Sequence, residues 1–196
     1  MGHVARKPIE SPPLTFDELY RQIVALPEGV TGQILTPGEL TTMGRPGFPH
    51  RLAQRRCTSG LSSIDRMEGG TGWWIEVEAE IRFPRGRLLV PDLAGWRVER
   101  VPEPLMENPI TTLPDWCAEI ISPSSARIDR VKKLHIYTEC GIAHVWLVDP
   151  EAHTVEVFVP HEGLPLRVAT AADDEHVALP PFDLLMDFAP WWVRQT

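Results

Sequence analysis

The residues whose types and spacing could do chemistry concentrate in one stretch, "PDWCAEIISPSSARIDRVKKLHIY", residues 114–137. An apolar run from Trp116 to Ile121 carries a single carboxylate, Glu119, in its middle. Burying an unpaired carboxylate costs several kcal/mol, so Glu119 needs a cation, a metal or hydrogen-bond donors. Asp92 poses the same problem in "RLLVPDLAGW". Two such carboxylates on adjacent strands are natural ligands for a hard divalent ion, Mg2+ or Mn2+. A lysine beside them could polarise a phosphate oxygen or help deprotonate a water, while the metal positions that water and stabilises charge on the phosphate.

The segment after Glu119 supplies the lysine. Asp129, Lys133 and Tyr137 stand at i, i+4 and i+8 and share one face of a helix. That helix starts after Ser122-Pro123-Ser124, so its first turns lie near the end of the strand. The same spacing also suits an exposed Asp129–Lys133 ion pair worth about 0.3–0.5 kcal/mol, with Tyr137 at the edge of the core. Asp92 alone also reads as a strand-end turn residue. Glu119 is harder to dismiss, because its neighbours on both sides are apolar.

The elements that must position these groups follow from periodicity. "LTFDELYRQIVALPEG" predicts a short amphipathic helix with Thr15 as N-cap and Glu18 as its capping-box partner. "GVTGQIL" and "GELTTMG" predict a hairpin around Thr36-Pro37-Gly38. His50 to about Arg66 reads as a helix, followed by an "EGGTG" loop. "WWIEVEAEIRF" alternates as one strand with Glu76, Glu78 and Glu80 on one face, and "GRLLVPDLAGWRV" reads as its antiparallel neighbour. After an irregular connector come strand 115–122, helix 126–140 and strand 143–149, a right-handed β-α-β crossover. Pro150 to His153 then turns into a strand "TVEVFVP", and "PFDLLMDFAPWWVRQT" reads as a short amphipathic tail. The order predicts an α/β (α+β) fold, one mixed β-sheet flanked by helices, over residues 14–196 after a weakly ordered arm at 1–13.

Composition narrows the setting. The 196 residues are about one domain, and 43% of them are apolar, enough for a core. No apolar run approaches the ~18 residues of a membrane span, and the N-terminus lacks the apolar middle of a signal peptide. Cys57, Cys117 and Cys140 share no metal or redox spacing, and their odd number argues against a disulfide framework. A cytoplasmic, reduced protein without a membrane partner is the expectation. The formal net charge of −8 does not suggest a coat of basic residues for nucleic acid. The cations nevertheless cluster, Arg45, Arg51, Arg55 and Arg56 early and Arg127, Arg130, Lys132 and Lys133 around the opening stretch.

At this point a family is recognisable. "VPDLAGW" followed by "PDWCAEIISPSSARIDRVKKLHIYTECGIAHVWLVDPEAHTVEVF" closely resembles the Uma-two family of restriction-endonuclease-like proteins, in the PD-(D/E)XK nuclease superfamily. Its pattern is a PD dipeptide, E-x-x-S-P-S, D-x-x-x-K-x-x-x-Y, G-(V/I) and a W-L-V-D-P hairpin, and each is present in order. The upstream "GQILTPGEL" and "RPGFPH" also resemble the family's first hairpin and His-bearing helix start, so the resemblance spans about residues 15–190. It implies a restriction-endonuclease-like fold, a metal site at Asp92 and Glu119, and a catalytic lysine. The superfamily's lysine usually sits two residues after the Glu, where this chain has Ile121. The resemblance is to members whose lysine has moved to the following helix, which maps the role onto Lys133. The backbone carbonyl of Ile120 or Ile121 would complete the metal shell. Where relatives carry a Glu in the first hairpin, this chain has Gln33; Glu39 is a candidate substitute or an exposed hairpin residue. His50 is placed to contact a phosphate or act as an auxiliary base, or else simply to start a helix.

The leading expectation is therefore an endonuclease that hydrolyses DNA phosphodiester bonds with Mg2+ or Mn2+. Asp92, Glu119, Lys133 and Gln33 carry the chemistry, Asp92, Glu119 and Ile120 bind the metal, and His50, Asp129 and Tyr137 assist. Arg51, Arg55, Arg127 and Arg130 are the candidate phosphate contacts. The alternative, favoured by Gln33 and the net acidity, is a weakened or inactive nuclease fold acting as a nucleic-acid-binding or regulatory module. A dimeric structural protein is a third reading, with the Trp pairs at 73–74 and 191–192 as apolar contact surface, although such Trp residues are more often core fillers. A homodimer is the expected assembly.

Overall fold

Thr15 opens the first helix, α1 (Phe16–Val24), as its spacing to Glu18 predicts. Its hydroxyl accepts from the Glu18 N–H at 3.3 Å, and the Glu18 carboxylate accepts from the Thr15 N–H at 2.8 Å. These features belong to a computed structural model that describes residues 12–193; nearly all of the arm expected at 1–13 lies outside it. Leu19 and Ile23 pack onto the hairpin of β1 (Thr31–Thr36) and β2 (Glu39–Met43). Helix α2 (Phe48–Leu61) begins two residues before His50, because Pro49 fits a first helical turn where no N–H partner is needed. It ends at Leu61 rather than near Arg66, where a separate 3-10 turn (Arg66–Glu68) is capped by Asp65.

The two long strands expected over 73–83 and 86–98 are each broken in two. β3 (Trp73–Val77) gives way to β4 (Ile81–Phe83), and β5 (Arg87–Leu89) to β6 (Leu93–Arg97). Glu78 breaks the first with a left-handed φ of 54°, so Glu76, Glu78 and Glu80 do not form one strand face. Pro91, which cannot donate to a ladder, lies in the second break. The consequence, among the described residues, is three sheets in place of one. A four-stranded sheet runs β2-β1-β5-β4, and a six-stranded sheet runs β10-β9-β8-β7-β6-β3. The latter includes β7 (Trp116–Ile120), β8 (His144–Asp149), β9 (Thr154–His161) and β10 (Leu164–Ala172). The third pairs β11 (His176–Ala178) with β12 (Leu185–Asp187), in place of the amphipathic tail expected there. Asp92 stands where the chain passes from the first sheet to the second.

β7 and β8 are parallel, as a β-α-β unit requires, and every other pair in the six-stranded sheet is antiparallel. The intervening helix begins with a π-helical turn (Ile128–Lys133) and continues as α3 (Leu134–Glu139). β7 is buried on both faces, which explains its unbroken apolar run. Trp116, Ala118 and Ile120 face a core with Cys57 and Leu61 of α2. Cys117 and Ile121 face the other core, with Leu134 and Tyr137 of α3. With period two, Glu119 falls on the α3 side.

Aromatic side chains close the α2 side. Phe182 meets the rings of Trp73, Trp116 and Trp146 edge-on, with centroids 5.0, 5.0 and 5.3 Å away. Trp191 and Trp192 are buried here too, and the Trp74 indole N–H donates to the Val101 carbonyl. The Trp pairs are thus core and anchoring groups, not an apolar contact surface. Phe182→Ala should lower unfolding free energy by about 3–5 kcal/mol, the usual loss for a buried phenyl ring, measured by urea denaturation.

Candidate active site

Glu119, 1% exposed, is satisfied from the helix that packs over it. Lys133 Nζ donates to Glu119 Oε2 at 2.8 Å and to the Val90 carbonyl at 3.1 Å. Tyr137 donates its hydroxyl to Glu119 Oε1 in a short hydrogen bond. Lys133 Nζ also lies 3.6 Å from Asp129 Oδ1, and both side chains are 2% exposed, so the pair is buried and is not the surface contact that its spacing equally suits. The π-helical turn makes this possible. Its widened register, with the Leu134 N–H bonded to the Asp129 carbonyl five residues back, turns both Asp129 and Lys133 inward.

Asp92 is held against the same strand. Its Oδ2 accepts from the Ile120 N–H at 2.6 Å, and its Oδ1 lies 3.0 Å from His50 Nε2. His50 reaches it from the first turn of α2, while its Nδ1 is buried without a hydrogen-bond partner among the described residues. Gln33 completes the group from β1. Its Oε1 accepts from the Val90 N–H at 3.1 Å, and its Nε2 has only the weakly accepting Met43 sulfur, 2.9 Å away. The backbone of Val90 therefore joins Gln33, through its N–H, to Lys133, through its carbonyl. Gln33, His50, Asp92, Glu119, Asp129 and Lys133 line one cleft of about 750 Å³, as does Ile120.

The electrostatics are lopsided. Three carboxylates surround one lysine. Burial pushes the Glu119 carboxyl up to about 8, and the charges of Asp129 and Asp92 push it the same way against Lys133. Burial likewise raises Asp129. Burial favours a neutral Lys133, but Glu119, Asp129 and Asp92 together outweigh it and hold the ammonium more firmly charged than usual.

This donor set fits a hard divalent ion. Among the described residues, no group of three or more His, Cys, Asp or Glu side chains is arranged to hold a metal. Mg2+ and Mn2+ do not require one, since waters and main-chain oxygens can complete their shells. Each oxygen of Asp92 and Glu119 has one partner and keeps a lone pair. Asp129 Oδ1 is buried without a hydrogen bond, and the surplus negative charge favours a cation. The hydrogen bond to Asp92 fixes the Ile120 peptide beside that carboxylate.

The arginines expected at phosphates are placed differently. Arg130 is bonded to Asp149 at 2.9 Å and Glu156 at 2.7 Å, and Arg51 donates to the Pro46 carbonyl at 2.7 Å. Arg55 and Arg127 are exposed, and none of the four lines the cleft. Arg45 does, although neighbouring residues in the sequence give no sign that separates it from its cluster. Glu39 is an exposed hairpin residue, so it does not replace the carboxylate missing at Gln33.

A family model described as "Uma2: Putative restriction endonuclease" matches residues 17–187. Among solved structures, the chain is similar to a crystal structure described as a "putative nuclease belonging to DUF820" from Anabaena variabilis ATCC 29413. The two are 24% identical with a TM-score of 0.67, over 91% of this chain and 97% of the other, a likeness of fold. No curated protein matches the chain.

The buried pair sets a stability test. Lys133→Met strands Glu119 and Asp129 without their cation and should cost about 3–5 kcal/mol in urea denaturation. Adding Glu119→Leu to that variant should recover part of the loss, in a double-mutant cycle.

Proposed function

Since the chain belongs to the Uma2 family of restriction-endonuclease-like proteins, we propose that it is a metal-dependent endonuclease hydrolysing DNA phosphodiester bonds. The observation that carries this reading is the 2.8 Å contact between Lys133 and Glu119, in a cleft that Asp92 also lines. The helix thereby returns to the strand the lysine that Ile121 does not supply. Asp92, Glu119 and the Ile120 carbonyl would hold Mg2+ or Mn2+, which when bound supplies Lewis-acid polarisation of the phosphate.

The chain's own groups then have distinct tasks. Lys133, kept charged by three carboxylates, offers a fixed positive charge to the non-bridging oxygens as the phosphorus becomes five-coordinate. Water gives up a proton to solvent as its oxygen adds to phosphorus, the opposite P–O bond breaks, and the departing alkoxide takes a proton from solvent to leave as a hydroxyl. Tyr137 fixes one oxygen of Glu119, and His50 fixes one oxygen of Asp92 beside the space a phosphate would occupy. Asp129 holds Lys133 from the third side. Gln33 holds the N–H of Val90, the residue whose carbonyl is the second acceptor of Lys133.

A homodimer in the cytoplasm goes with this reading. β10 is an outer strand of its sheet, and Leu164, Leu166 and Val168 on it are 61, 46 and 47% exposed, which favours self-association. No helix among the described residues is long and apolar enough to cross a membrane.

Gln33 favours a second reading, a weakened nuclease that binds nucleic acid without cutting it efficiently. Its amide brings no charge to the site, and its oxygen is already committed to Val90.

Cleavage of plasmid and oligonucleotide DNA with Mg2+ or Mn2+ tests both readings. Metal-dependent nicking is expected, lost by at least about 100-fold in Asp92→Ala and Lys133→Ala variants that remain folded by circular dichroism. Nicking that survives both substitutions would refute the assignment. In the same assay, metal binding without cleavage by the parent, followed by cleavage on Gln33→Glu, is the outcome expected of the weakened site.

A further inference from the structure

Building on the nuclease reading, we infer that Arg45 is the residue that anchors the nucleic-acid backbone in the cleft. Five carboxylates line this cleft, Glu78, Asp92, Glu119, Asp129 and Glu151, against two cations, Lys133 and Arg45. A polyanion entering such a surface needs a positive group that is not already neutralised. Lys133 is buried and bonded to Glu119 and Val90. Arg45 is exposed, and its guanidinium has neither a hydrogen bond nor an ion pair with any described residue. None of the other candidate arginines lines the cleft: Arg130 is paired with Asp149 and Glu156, Arg51 donates to the Pro46 carbonyl, and Arg55 and Arg127 are exposed outside its lining.

Arg45 is nonetheless held in place. It follows the end of β2 and lies over Gly29, which also lines the cleft. A Cβ added at Gly29 would stand 2.3 Å from Arg45 Nε and 3.0 Å from Cζ, so the guanidinium rests on bare backbone. Gly29 has a φ of +83°, a conformation that side chains disfavour, so the absence of a side chain is built into the turn. The guanidinium is thus positioned by close packing while its donors stay open. A planar fork with free donors at the wall of a cleft is suited to two phosphate oxygens at once. Arg45 acts as a positioning residue, setting the backbone against Asp92, Glu119 and Lys133 without taking part in bond breaking.

Fluorescence anisotropy with a fluorescein-labelled DNA duplex, in EDTA and over a KCl titration, tests this without cleavage. Arg45→Ala should weaken binding about tenfold and reduce the slope of log affinity against log salt by about one. Arg45→Glu should weaken it further, and Arg21→Ala, on the exposed side of α1, should leave it unchanged. Wild-type affinity and slope in Arg45→Ala would overturn the inference. In parallel cleavage assays with Mg2+, a raised KM and little-changed kcat in Arg45→Ala supports it. A parent that binds in an Arg45-dependent way but never cleaves supports the anchor while refuting the hydrolysis. A parent that cleaves, with Arg45→Ala unchanged in binding and KM, refutes the anchor alone. A parent that does not bind DNA refutes the anchor.

Discussion

A carboxylate in the middle of a strand buried on both faces sets the terms for the rest of this structure. Glu119 lies between β6 and β8 under the helix that packs over β7, and at 1% exposure solvent offsets little of the cost of charging it. Its charge is tolerated because Lys133 and Tyr137 meet one oxygen each. Those two partners must come from a single helix lying over the strand, which fixes where that helix begins and how it is turned. The Ser122–Ser125 turn and the π-helical segment are the local means. Hydrogen bonds between the Ser122 and Ser125 hydroxyls and main-chain N–H groups close the turn. The extra residue in the π turn then brings Asp129 and Lys133 inward together.

Stability alone does not account for this arrangement. Replacing a buried ion pair by apolar residues of similar volume is often neutral or stabilising by about 1–4 kcal/mol. The slot between Cys117 and Ile121 would accept such a residue, since both neighbours already face the same core. A buried carboxylate kept there, with two further carboxylates around one lysine, is arranged for something that the fold does not itself contain. The break at Pro91-Asp92 has the same character. A continuous strand would carry Asp92 in a ladder, whereas the break lets its side chain reach the Ile120 N–H and His50 while the main chain changes sheets.

Much of this was legible because it is local. The capping box of α1 depends on two residues three apart, and the β7–helix–β8 unit on runs of apolar residues long enough to have one interpretation. Glu119 stood out for the same reason, and the spacing of Asp129, Lys133 and Tyr137 put them on the correct face. What escaped was decided by distant parts of the chain. Alternation continues unbroken through Glu78, so nothing nearby shows that β3 and β4 belong to different sheets. Arg130 and Arg45 look equivalent in the sequence. Only the pairing of β8 with β9 brings Asp149 and Glu156 to Arg130, while only the turn at Gly29 gives Arg45 its place. β10 to β12 went unread because their short apolar runs are interrupted by prolines and charges that suit loops equally well.

Gln33 gains its meaning from the same charge imbalance. A carboxylate at this position would be a fourth negative group around Lys133, in a region where burial and two neighbours already push Glu119 up to about 8. The amide keeps the one interaction the main chain requires, acceptance of the Val90 N–H, and adds no charge. Because the Val90 carbonyl in turn accepts from Lys133, the position of the lysine is coupled to residue 33 through the backbone of a single residue. A substitution there changes two things together, the number of charges offered to a cation and the anchoring of the lysine, and the neutral residue sacrifices the first while preserving the second.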